Sequence, residues 1–174
     1  MNPYCKSYLK QAKINEDLAN YIKSNCPDKI YLKWVFVIVF YSALHYFHAF
    51  LIQKQKPLPV RHTKKNDYDI GAVELAINEF YSEIDGRAHS AGADYEQLFK
   101  WSLDIRYHPD RWDLIGTEEL DIAFGYLEGI KFVTFNETGN RPKWKKQSKD
   151  YFFESVKPSY LFQLIEYYKK FIKP

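Results

Sequence analysis

Apolar residues recur along much of this chain at steps of three and four, the period of a helix face. Tyr4, Tyr8, Leu18, Tyr21 and Ile22 fall near one side of a first helix, predicted over about Tyr4–Asn25 and closed by Pro27 and Asp28. A second helix is predicted over about Tyr31–Lys54, a segment with neither Gly nor Pro, and at 1.5 Å per residue it would be roughly 35 Å long. After a polar connection through Pro57, Pro59, Arg61 and His62, a stripe of Ile70, Val73, Ile77, Phe80 and Ile84 predicts a third helix over about Asp69–Ile84. Gly86 and Gly92 mark Asp85–Asp94 as a loop. A fourth helix, about Tyr95–Tyr107, presents Leu98, Trp101 and Ile105 and ends against Pro109, which disfavours helical geometry at the residue before it. A fifth, about Glu118–Phe135, lines up Leu120, Ala123, Phe124, Leu127 and Ile130, with Glu118 and Glu119 suited to its positive N-terminal end. Ser159 can cap a last helix over Tyr160–Ile172. Tyr151–Val156 has some strand character but is not assigned as one.

These elements predict an all-α fold. At 174 residues there is length for one core and hardly for two, so residues 1–140 are expected to form the bundle, with a basic loop and C-terminal helix at 141–174 packed on the same domain. The 15 Tyr and 13 Phe imply a wide aromatic core in which buried hydroxyls need partners. Trp34–Ile52 is 19 residues without an acidic or basic side chain, long enough to be weighed as a membrane span. Its Tyr41, Ser42, His45, Tyr46 and His48 have no second apolar span to shield them from lipid, so a helix buried on every side at the centre of a core is the expectation, and no membrane partner. Cys5 and Cys26 form no CxxC pair and no disulfide framework, and the N-terminus lacks the charged-then-apolar layout of a secretory signal; a cytoplasmic setting is expected.

Charge alters the picture at one end. From Arg141 onward nine basic residues face three acidic ones, giving +6, while residues 1–140 carry −3. The tract Arg141, Lys143, Trp144, Lys145 and Lys146 sets an aromatic among cations, a pattern that neutralises phosphates and stacks on an unpaired base. A solvated linker with Trp144 folded back would read the same way.

The other candidate chemistry is a pocket built from Tyr41, His45 and His48 on the second helix, Arg61 and His62 just after it, and Arg106 and Tyr107 on the fourth. Tyr41, His45 and His48 share a face at four- and three-residue steps. An Arg packed there would fix a phosphate, and a His would titrate near neutrality. The plainer alternative makes these histidines and Tyr41 hydrogen-bonded core residues. A metal held by His45, His48 and His62 is not expected, because no Asp or Glu stands near them at ligand spacing; no cofactor is expected either. Phosphate-binding Gly loops, nucleophile elbows and paired-carboxylate motifs do not occur.

The apolar run Trp34–Leu51 with its Tyr41, His45 and His48, the Pro-containing turn with His62, and Ser102-Leu-Asp-Ile-Arg106-Tyr107 together resemble HEPN proteins, over roughly residues 30–135. The resemblance implies an antiparallel four-helix bundle, with the additional short helices at the C-terminus. It further implies homodimers, association with RNA or nucleotides, and a place in toxin–antitoxin or antiviral systems, for which a nucleotidyltransferase-like partner protein would be the toxin–antitoxin mark. Nucleases of that family carry an Arg followed by a His after four to six intervening residues, which can set a phosphate-binding cation and a general acid or base on one helix face. None of Arg61, Arg87, Arg106, Arg111 or Arg141 has such a His; His108 follows Arg106 by two. A noncatalytic binding module is therefore the expected function. The alternatives are a metal-independent RNase with a divergent site drawn from His45, His62, Arg106 and His108, and a dimeric protein-interaction adaptor.

Overall fold

The computed structural model describes residues 2–26, 28–63, 71–84, 87–108 and 116–139. The chain divides into two compact units, Met1–Arg141 and Pro142–Pro174, and every described residue belongs to the first. The basic tract Arg141–Lys146, the Tyr151–Val156 segment and the helix expected at Tyr160–Ile172 lie outside the described residues.

The described part is mainly helical, with five helices packed together: α1 (Pro3–Asn25), α2 (Lys29–Gln53), α3 (Ala72–Glu79), α4 (Gly92–Tyr107) and α5 (Thr117–Thr138). Helix α1 starts cleanly because Asn2 Oδ1 accepts the Tyr4 N–H at 2.9 Å and Pro3 needs no amide partner in the first turn. It buries Cys5, Leu9, Ala12, Glu16 and Ala19, alternating four- and three-residue steps, against α2. Cys5 Sγ donates to the Ala49 carbonyl at 3.4 Å and Ser42 Oγ to the Ala12 carbonyl at 2.7 Å, so early residues of α1 meet late residues of α2 and the two run antiparallel.

Helix α2 packs on α1, α4 and α5 at once. By length and composition Tyr31–Gln53 could cross a membrane, but 72% of its most apolar stretch is buried inside the protein. That explains its lack of a polar face: a helix covered on several sides has nowhere to show one. Phe47 lies between Phe80 at 4.7 Å and Tyr95 at 5.3 Å, and Phe40 meets Phe99 at 5.4 Å, so the core is a mesh of aromatic rings in tilted contact.

One polar cluster interrupts that core. Glu16 of α1, only 8% exposed, accepts from the Tyr46 hydroxyl of α2 at 3.0 Å and from Lys131 Nζ of α5 at 2.7 Å, which ties three helices to one carboxylate. Lys131 also meets Glu128 on its own helix at 2.6 Å.

The third element corrects the sequence reading. The stripe from Ile70 to Ile84 suggests one helix, whereas α3 stops at Glu79 and Tyr81–Ile84 forms a strand, β1, paired antiparallel with β2 (Arg87–Ser90) in the register Tyr81↔Ser90 to Ile84↔Arg87. The expected loop over Asp85–Asp94 thus contains β2 and the first turn of α4, and the fold is not purely helical. Phe80 decides the outcome. It is fully buried against Phe47 and Phe50, and its carbonyl accepts the Ala91 N–H at 2.8 Å, a pairing that turns the chain out of the helix. Beyond it, exposed Tyr81, buried Ser82 and exposed Glu83 follow period two. Asp85-Gly86 between the strands is a hairpin signal that the helical stripe overrode in the sequence reading.

Candidate functional site

Arg106 is where the elements of the site converge. Its place in the last turn of α4 sets it over Ser102, four residues back. Nε donates to the Ser102 carbonyl at 2.9 Å and Nη2 to Ser102 Oγ at 3.2 Å, while Nη1 reaches the Tyr41 hydroxyl of α2 at 3.5 Å. The guanidinium carbon lies 5.2 Å from the Tyr107 ring centroid and 6.0 Å from that of Tyr41, a cation held between two aromatic faces. Among the described residues three of the five guanidinium N–H groups have partners.

His62 is fixed by backbone as well as packing. The carbonyls of Arg61 and His62 accept the N–H groups of Ala72 and Val73 at 2.8 and 3.0 Å, so the segment after α2 caps the start of α3. The His62 ring then lies 5.5 Å from both Phe40 and Phe99. Burial lowers the His62 pKa from its ordinary value, and the positive charge of Arg106 lowers it further.

On α2, His45 and His48 stand 6.4 Å apart, and Tyr8 of α1 packs on both, edge-on to His48 at 5.2 Å. Burial lowers the pKa of His45. Burial, joined by the neighbouring His45 and His62, takes His48 down to about 4. His48 and His62 also line a cavity of about 210 Å³ with Leu44, Pro59, Val60, Arg61 and Ala72. A second space of about 360 Å³, walled by Pro57, Leu58, Thr63 and Leu75, shares Pro59, Val60 and Arg61 with the first.

The structure therefore brings together Tyr41 with Arg106 and Tyr107, Arg106 with His62, and His62 with His48 and Arg61. One expected member stands apart. His108 caps α4, with its N–H on the Asp104 carbonyl at 2.9 Å and an exposed side chain that joins none of these contacts among the described residues. Among the described residues Tyr107, 65% exposed, joins the cluster through Arg106. Among the described residues no three His, Cys, Asp or Glu side chains are grouped to hold a metal ion. Sequence reasoning missed Tyr8, Phe99 and the anchoring role of Ser102. Only Ser102 carried a legible signal, its four-residue spacing from Arg106.

The buried histidines make stability depend on pH in a definite direction. His48 binds its proton more weakly folded, at about 4, than unfolded, at about 6.5. Above about pH 6.5 both states are neutral and stability is complete; as pH falls from there toward 4 the unfolded state takes up more protons and stability is lost. The expected loss by about pH 4.5 is about 2 kcal/mol from this residue, with His45 and His62 acting in the same direction. Urea unfolding of the wild type and of His48→Phe at about pH 7.5 and 4.5 measures it. An acid-induced loss no smaller in the variant would contradict the assignment.

No family model, no curated protein and no solved structure matches this chain. What fold and site define is a class: a mainly helical protein with a cleft lined by His48, Arg61 and His62 where α2, the segment after it and α3 meet.

Proposed function

We infer that this protein is a noncatalytic, HEPN-like binding module for RNA or nucleotides, acting in the cytoplasm as a homodimer within a toxin–antitoxin or antiviral system, with a nucleotidyltransferase-like protein as its candidate partner. The long helices α1, α2, α4 and α5 are taken as the antiparallel four-helix bundle of that family, with α3 and the β hairpin inserted between the second and third. One observation carries the reading. Arg106, anchored by Ser102 and Tyr41, is near enough to His62 to lower its pKa, and His62 lines a cleft, so residues from three separate segments that resemble the family's come into one neighbourhood suited to a phosphate. Cleavage is not part of the reading, because no His follows Arg106 at the family's spacing and His108 stays outside the cluster.

The competing RNase reading has one point in its favour. His62, kept neutral near pH 7 by burial and by Arg106, sits beside a phosphate-binding cation, as a general base would. Fluorescence anisotropy with labelled single-stranded RNA, followed on a gel in the presence of chelator, separates the two. Binding without cleavage is expected, weakened about 10- to 100-fold by Arg106→Ala, the worth of one or two charge-assisted hydrogen bonds. Chelator-resistant cleavage lost in Arg106→Ala would replace the binding module with the nuclease. Absence of any salt-dependent RNA binding would leave the dimeric adaptor.

A further inference from the structure

Through its middle, helix α2 reaches the outside along a single line. Between Val35 and Leu51 every residue is buried except Ile38, Tyr41, His45 and His48, and half-buried Trp34 and Ile52 extend the line at its two ends. The six follow steps of four and three, which places them in one stripe down the helix. The stripe has no Asp, Glu, Lys or Arg, and burial keeps His45 and His48 uncharged near neutral pH.

Helix α1 continues the same face. Tyr8 packs on His45 and His48 at ring distances of 5.8 and 5.2 Å, and Tyr4, Tyr8, Gln11, Asn15, Leu18 and Ile22 repeat the same steps along α1. None of them is charged, although α1 carries Lys6, Lys10, Lys13, Glu16, Asp17 and Lys23, all of which stand off this stripe. Gln11 donates to Asn15 at 3.1 Å, so the two amides serve each other. Two antiparallel helices thus present one uncharged surface. The three most exposed large apolar side chains among the described residues stand on it or at its border. Tyr4, at 73%, belongs to the α1 stripe; Val60, at 96%, lines a cavity together with His48; and Tyr107, at 65%, packs on the Arg106 that meets Tyr41. The cations Arg61 and Arg106 mark that border and are not part of either stripe.

Exposed apolar surface of this extent marks an interaction site. Each stripe is about 27 Å long at 1.5 Å per residue, and two packed helices are about 20 Å across. With its bordering side chains the face approaches the about 800 Å² that each partner gives to a standard interface. Its lack of charge selects the occupant. A nucleic acid or an acidic peptide would find no cation along the stripes, whereas the same face, turned through a two-fold axis, meets itself without setting like charges together. We propose that a second copy of this chain covers the face, with α1 and α2 of one protomer packed on α1 and α2 of its partner in an isologous dimer. This rests on the homodimer of the proposed function, and adds the surface that forms it.

Sedimentation velocity of the full chain, diluted about 100-fold from about 50 μM, tests it. Expected is a dimer at the upper end. Gln11→Lys puts a charge on an exposed position of the α1 stripe and should weaken dimerisation at least about tenfold, because like charges then face each other across the two-fold axis. Ser24→Lys adds the same charge to α1 away from the stripe and should change it less than about twofold. Hydroxyl-radical footprinting of the wild type supplies a readout without any substitution: Tyr4 and Tyr8 should lose reactivity from dilute to concentrated protein, while exposed Ile122 of α5 should not. A dimer that ignores Gln11→Lys, or a Tyr4 that stays reactive in the dimer, overturns this face and leaves the homodimer standing. A monomer at every concentration removes both, and its flotation with neutral phosphatidylcholine vesicles would give the face to a lipid surface instead. Loss of RNA binding alone would fall on the proposed function and not on this surface.

Discussion

Lys131→Met is expected to lower the unfolding free energy by about 3–4 kcal/mol, the cost of stranding a buried carboxylate. Among the described residues the Glu16 carboxylate has two partners, the Lys131 ammonium at 2.7 Å and the Tyr46 hydroxyl at 3.0 Å, and Glu16 is 8% exposed. Removing the cation leaves the charge with a single neutral donor among apolar side chains. Methionine keeps most of the volume of the lysine stem, so the loss reports charge rather than packing. Urea unfolding gives the number, and the double variant Glu16→Gln/Lys131→Met supplies the control. With the charge gone from both sides, most of the lost stability should return. A double variant as unstable as Lys131→Met would show that packing, not the stranded carboxylate, governs this junction.

Gly92→Ala should cost about 3 kcal/mol, at the upper end of what overpacking does in a core. A Cβ at Gly92 would stand 2.5 Å from the Ala76 carbonyl oxygen and 2.6 Å from Ile77 Cα. Both are backbone atoms of α3, so no side chain can swing aside; α3 and α4 must separate. The melting temperature of a domain this size should drop by roughly 6–12 °C. Because α3 is capped by the carbonyls of Arg61 and His62, its displacement should also weaken the RNA binding proposed above. An unchanged melting temperature would show that the two helices do not approach as closely as described.

Much of the fold was legible in the residues. Helices α1, α2, α4 and α5 begin and end within about three residues of where periodicity and capping placed them, because their stripes are long and ends among them carry Pro27, Pro109, Glu118 or Glu119 as markers. The site was legible as a set of residue types. Tyr41, His45, His48, Arg61, His62 and Arg106 were named from spacing and chemistry, and the structure sets Tyr41 against Arg106, His45 against His48, and His48, Arg61 and His62 along one cavity. Glu16 gave no warning: a glutamate on an amphipathic helix looks the same in sequence whether it faces water or a lysine over a hundred residues away.

What sequence alone decided about this protein is therefore local: which stretches wind into helices, that Trp34–Ile52 needs covering on all sides, and that the nuclease spacing of Arg and His is missing. Tertiary structure alone decided where β1 replaces the end of a helix, which carboxylate is buried, that His108 is left outside, and that His48 and His62 share a cleft with Arg61. The division has a physical cause. Periodicity and capping act over a few residues along the chain, whereas burial, ion pairing and the shape of a cavity depend on segments that meet only after folding, and no spacing records who those neighbours are.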